Sequence, residues 1–202
     1  MVFAHAFSAL RRDGHFSFLV FSGYFVLHFH LLTMATTAAA MLLKKQLQEF
    51  ESKGGTDGFS AGLSDDDNLF RWEVIVYGPS ETFFEGGFFK AELVFPENFP
   101  NRPPKMKFLT DMWHPNIAKN GDVCISILHE PGDDKWGYET ASERWRPVHS
   151  IESILISVIS MLSNPNDESP ANVDAGKEWR EDYNGAFKRN VLQTVKKSQQ
   201  LL

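Results

Sequence analysis

"LFRWEVIVYGPSETFFEGGFFKAELVF", residues 69 to 95, sets the fold. Phe70, Trp72, Val74 and Val76 alternate with Arg71, Glu73, Ile75 and Tyr77, the period of two that a strand with one buried face requires. The alternation returns at Phe89, Ala91, Leu93 and Phe95 against Lys90 and Glu92, across the turn-rich stretch GPSETFFEGG. Upstream, FSAGL precedes the turn SDDDN and reads as another strand. Downstream, after PENFPNRPP, Met106 to Leu109 supplies a fourth. Strands in sequence, joined by short turns, make an antiparallel meander.

Beyond the strands the period changes to 3.6. In SIESILISVISMLSN, Ile151, Ile154, Leu155, Val158, Ile159 and Leu162 share one stripe, with Ser150 as N-cap and Asn164-Pro165 as the stop. SPANVDAGKEWRE offers Ser169 as the cap of a next helix, with Pro170 at its first position, and Phe187, Val191 and Val195 mark a last one. Ahead of the sheet, Thr36 to Ser52 is rich in strong helix formers and is ended by Gly54-Gly55. The expected class is α+β: a four-stranded antiparallel meander flanked by an N-terminal helix, a central helix and two C-terminal helices.

With 43% hydrophobic and 23% charged residues among 202, the chain can bury its own core. One cysteine forms no internal disulfide, which fits a reducing compartment, cytoplasm or nucleus. A net charge of −6 argues against nucleic acid as a partner, because neutralising phosphate needs clustered Lys and Arg. Residues 1–33 stand apart from the domain of 34–202. Arg11 and Arg12 precede the apolar FSFLVFSGYFVLHFHLL, which reads either as a membrane anchor or as upstream translation before a start at Met34. Membrane association is expected only through this segment.

The single cysteine, Cys124, lies eight positions after Asn116 in WHPNIAKNGDVCISIL. His114, His129 and His149 nearby raise zinc, but one thiol without a Cys-x-x-Cys pair is too little for a structural site, so no metal is expected. Two readings remain from the residues alone. Cys124 is a small buried hydrophobe in an apolar strand, or it is a nucleophile with one of the histidines as base. His114, ten positions before the cysteine, is followed by Pro115 in a tight turn and reads as a turn anchor rather than a mobile base. Gly121-Asp122 before the cysteine, and the acidic turn from Glu130 to Asp134 after it, keep the segment near the surface.

His114-Pro115-Asn116, Cys124, the upstream FPENFPNRPP and the downstream Trp145-x-Pro147 resemble the core of ubiquitin-conjugating enzymes, over about Met41 to Ser198. An insertion between Cys124 and Trp145, carrying HEPGDD, GYE and ERW, resembles the G-type subgroup. The resemblance implies the ubiquitin-conjugating fold and an acyltransferase that accepts ubiquitin as a thioester on Cys124 and yields it to substrate lysines. It also implies support for polyubiquitin chains. No cofactor is implied, ATP being consumed by the activating enzyme. A carrier of another ubiquitin-like modifier, or a noncatalytic binding variant, is the alternative.

The resemblance also assigns residues. Asn116 would donate to the oxyanion in the second transfer, or hold the loop's backbone, or both. Where many members carry an acid near the cysteine this chain has Ser169, so Glu168, Asp167, Asp133 or Asp134 would supply the missing negative field. Lys44 and Lys45 match where the family meets its activating enzyme. Asn101, Arg102, Pro147 and Val148 match where it meets RING-type ligases, with Asn101 in place of a common bulky apolar anchor.

Overall fold

The computed structural model describes residues 37–52, 57–65, 68–134 and 139–201. Segment 1–33 and the readings placed on it lie outside the described residues, as does part of the insertion. Ala38–Leu202 forms one compact unit. Its elements run α1 (Ala38–Ser52), β1 (Phe59–Leu63), β2 (Arg71–Tyr77), β3 (Phe88–Val94), β4 (Lys105–Phe108), α2 (Ile151–Ser163), α3 (Val173–Glu181) and α4 (Lys188–Ser198). A single π-helical turn, Tyr183–Phe187, joins α3 to α4.

The sheet is the expected meander, in the order β1-β2-β3-β4 with every pairing antiparallel. Trp72 lies opposite Leu93, Val74 opposite Ala91 and Val76 opposite Phe89. All six are fully buried, so the alternation in the sequence is the inner face of the sheet. On the outer face Glu73 meets Lys90 at 2.7 Å, and an Arg71 guanidinium nitrogen lies 3.1 Å from Glu92 Oε2. The inner face packs with Ile151, Ile154, Leu155 and Val158 of α2 in one core.

Helix α2 opens as its sequence indicates. Ser150 Oγ accepts from the Ser153 N–H at 3.1 Å, and Asn164 closes the last turn by donating its backbone N–H to Ser160 O. Gln46 Oε1 on α1 accepts the Ile151 N–H at 2.8 Å, so the first helix satisfies an otherwise orphaned donor of the second.

Ser169 is not the cap of α3. The helix starts later, at Val173, and Asn172 caps it by accepting from the Ala175 N–H at 3.2 Å. The Asn172 N–H in turn donates to Pro115 O at 2.9 Å, which fixes the cap against the His-Pro-Asn turn. Pro170 folds back over the helix instead of opening it: a Cβ placed on Gly176 would stand 2.8 Å from Pro170 Cβ. Asn172→Ala should therefore cost about 1 kcal/mol or more in urea unfolding. Ser169→Ala should change stability by no more than about 0.5 kcal/mol.

Candidate active site

Proline fixes the backbone after His114, and the His114 ring completes the turn. Its Nδ1 accepts the Asn116 N–H at 3.0 Å, and its Nε2–H donates to Met161 O on α2 at 3.0 Å. The ring is fully buried. Burial disfavours the imidazolium and lowers its pKa from 6.5 to about 4, against the opposing Met161 hydrogen bond. His114 is thus neutral at pH 7 with both nitrogens occupied, and it anchors the turn to α2.

From there the chain returns to its starting point. Ala118 N–H donates to Asp122 O at 2.9 Å, and Cys124 N–H donates to Asn116 O at 3.0 Å, so the eight-residue spacing closes a loop. Gly121 makes the reversal with φ +93°, where a Cβ would stand 2.1 Å from Phe108 O. The loop is also hydrogen-bonded to β4: Phe108 N–H to Gly121 O at 2.9 Å, and Val123 N–H to Met106 O at 3.0 Å. Cys124 emerges exposed. The core-strand reading of this residue does not fit its position.

Cys124 stands on a cleft of about 490 Å³, shared with Asn116, His129, Asp134, Glu139, Arg144, Asn166, Glu168 and Ser169. His129 Nε2 is 3.6 Å from Cys124 Sγ. On the far edge of the ring, Nδ1 is 2.8 and 2.9 Å from the two Glu139 carboxylate oxygens. Glu139 is held in turn by Ser126 Oγ at 2.9 Å and Arg144 Nε at 3.7 Å. Arg144 also pairs with Asp134 at 3.6 Å. The hydrogen bond with Cys124 first, and the Glu139 carboxylate after it, raise the His129 pKa to about 9 against partial burial.

The three histidines are not brought together. His149 lies against Trp145, with ring centroids 5.5 Å apart, and among the described residues no cluster of His, Cys, Asp or Glu could hold a metal ion. Of the acids considered to replace a carboxylate at Ser169, Glu168 and Asp134 line the cleft. Asp133 is exposed in the insertion, and Asp167 accepts from Arg180, whose guanidinium is 2.6 Å from Asp167 O. Glu139 had no role in the sequence reading, since nothing local ties it to a histidine ten positions earlier.

Asn116 is buried, and its amide is engaged: Nδ2 donates to Asn166 O at 2.6 Å and Oδ1 accepts the Asn166 N–H at 2.8 Å. Lys44 and Lys45 are exposed on α1. Asn101, Arg102, Pro147 and Val148 are exposed as well, and the loops carrying them are joined where Trp145 Nε1–H donates to Pro100 O at 2.7 Å. Arg102 lies 3.4 Å from Glu130 of the insertion.

Residues 42–195 match the family model described as ubiquitin-conjugating enzyme. The chain belongs to the ubiquitin-conjugating enzyme family. It is 60% identical over 162 residues to a Caenorhabditis elegans protein named probable ubiquitin-conjugating enzyme E2 7, covering 80% of this chain and 98% of that one. It is 50% identical over 162 residues to human ubiquitin-conjugating enzyme E2 G2, covering 79% and 98%. The solved structure of human ubiquitin-conjugating enzyme E2 G1 matches with a TM-score of 0.56 and 55% identity, covering 63% of this chain and 97% of that one. The G-type resemblance and the ubiquitin-conjugating fold are both shown. Family membership makes this ubiquitin-conjugating enzyme an acyltransferase, with ubiquitin, an activating enzyme and a ligase as the partners such enzymes imply.

The histidines set a pH dependence of stability. Because folding lowers the His114 pKa, the unfolded chain binds the extra proton, and stability falls as pH drops from about 6.5 toward 4. His149, lowered by burial and by Arg146, acts in the same direction. His129 is raised, so its contribution is complete below about 6.5 and is lost as pH rises through about 9. Urea unfolding from pH 4 to 10 should show a maximum between these limits, and His129→Gln should flatten the alkaline side.

Proposed function

We propose that Cys124 accepts the C-terminal glycyl group of ubiquitin from the activating enzyme as a thioester and yields it to substrate lysines, working with a RING-type ligase. The observation that carries this reading is the exposed Cys124 on an open cleft with an imidazole 3.6 Å from its sulfur. Exchange of one thioester for another is close to isoenergetic, so the first transfer depends on positioning. The second runs downhill to an amide. The enzyme needs no cofactor of its own, ATP being consumed upstream.

Asn116 serves the second transfer. An amide nitrogen carries two N–H groups, so with one on Asn166 O a second remains to donate to the oxyanion, and Asn116 lines the same cleft as Cys124. Lys44 and Lys45 meet the activating enzyme. Asn101, Arg102, Pro147 and Val148 form the ligase face, where Val148, 78% exposed, supplies apolar surface in place of the anchor that Asn101 lacks. The insertion with Asp133 and Asp134 borders the acceptor side and supports building of polyubiquitin chains. Residues 34–202 are the catalytic domain, working in the reducing cytoplasm or nucleus. Among the described residues no helix is long and apolar enough to cross a membrane.

Incubation with activating enzyme, ATP and ubiquitin should give an adduct of one ubiquitin that survives a non-reducing gel and disappears with reductant. An adduct with another ubiquitin-like modifier in place of ubiquitin would shift the reading to that carrier. No adduct with any modifier would refute it.

A further inference from the structure

We propose that His129, aimed by Glu139, is the base that takes the proton from the attacking lysine amine, filling the place that Ser169 leaves without an acid; this rests on the thioester reading of Cys124. The thioester carbonyl carbon is one bond from Sγ. An amine attacking that carbon passes within hydrogen-bond reach of a ring nitrogen 3.6 Å from the sulfur. Glu139 takes Nδ1–H, which leaves Nε2 turned toward the reacting atoms. Ser126 and Arg144 hold the carboxylate in turn. Glu139 is accordingly a positioning residue, and His129 the group that meets the proton.

Loading of Cys124 would switch the ring on. The largest influence raising the His129 pKa is its hydrogen bond with Cys124, and acylation removes that partner, so the ring loses its proton more readily. The lysine enters as the neutral amine. Its nitrogen forms the bond to the carbonyl carbon, one N–H proton passes to His129 Nε2, and the carbon–sulfur bond breaks with its electron pair on sulfur. The products are the amide, an imidazolium and a sulfur anion facing each other. The charged and titratable groups around His129 are Glu139, Asp134 and Arg144 of the insertion and the Cys124 thiol on its own segment. Glu168 lines the same cleft from the loop after α2.

The test uses enzyme purified after loading with ubiquitin and mixed with free lysine between pH 6 and 9, with single-turnover rates divided by the fraction of neutral amine. The wild-type rate should rise through an inflection below about pH 9. His129→Ala should discharge about 10²-fold more slowly, lose the inflection and regain rate when imidazole is added. Glu139→Gln should move the inflection toward acid, because the carboxylate is among the groups that raise the ring. A His129→Ala enzyme with the wild-type rate and profile overturns the proposal. So does one that is slower at every pH, keeps the inflection and ignores imidazole. If the alanine variant does not fold, an unmoved inflection in Glu139→Gln overturns it equally. Failure of the wild type to load is visible before lysine is added, and removes the thioester reading and this proposal together.

Discussion

Cys124→Ser should convert the reductant-sensitive adduct into a reductant-resistant one and abolish discharge to lysine. The chain has one cysteine, so a reductant-sensitive bond to ubiquitin has a single address. The side chain is exposed and its backbone N–H is committed to Asn116 O, so replacing Sγ with Oγ leaves the loop in place. Transfer from a thioester to a hydroxyl forms an ester, which no thiol reductant cleaves. Discharge then fails for a chemical reason: a thiolate, the conjugate base of a thiol of ordinary pKa about 8.5, leaves far more readily than an alkoxide. Cys124→Ala should give no adduct of either kind. Non-reducing and reducing gels of the three enzymes check all of this. A reductant-sensitive adduct on Cys124→Ser would place the acceptor outside this chain.

How much of this was legible in the sequence depended on how local each determinant is. The sheet was legible because burial of one face writes itself into every second residue: Trp72, Val74 and Val76, then Phe89, Ala91 and Leu93. Ser150 was legible because its acceptor bonds a donor three residues on. The cap of α3 differs from the expectation because Ser169-Pro170 and Asn172 both satisfy the local rule, and Asn172 is held in place by donating its backbone N–H to Pro115 O, a partner distant in sequence. No local pattern encodes that contact. The site divides in the same way. The Asn116 to Cys124 spacing could be read, and Gly121 explains its geometry through a positive φ against Phe108 O. His114 reads as a turn anchor because Pro115 follows it, and its ring does face α2. His129 reaches the sulfur because the short helical turn Ser126–Leu128 reverses the chain just after Cys124, and because Glu139 returns from the insertion to hold the ring.

Asn116→Ala should slow discharge of the loaded enzyme to lysine by about 10²-fold, the scale found when an oxyanion donor is removed, while loading is reduced less. The two transfers respond differently because the amine attack places negative charge on the carbonyl oxygen next to a fixed donor, whereas exchange between near-equal thioesters depends mainly on the activating enzyme's docking. The same substitution also removes both hydrogen bonds to the Asn166 backbone. The two roles can be separated. Loosening of the loop should appear as faster hydrogen exchange at the Asn166 amide, which loses its acceptor whether or not ubiquitin is bound. Asn116→Asp retains the oxygen that accepts from Asn166 N–H but sets a carboxylate oxygen against Asn166 O and against the developing oxyanion. It should discharge no faster than the alanine variant, with exchange at Asn166 slower than in that variant. An aspartate variant discharging at the wild-type rate would leave Asn116 as a holder of the loop alone. Unlike loss of His129, Asn116→Ala should lower the rate at every pH and leave the inflection where it stands, because it alters neither the group that receives the proton nor the charge around it, whereas the new carboxylate of Asn116→Asp should move the inflection toward alkali.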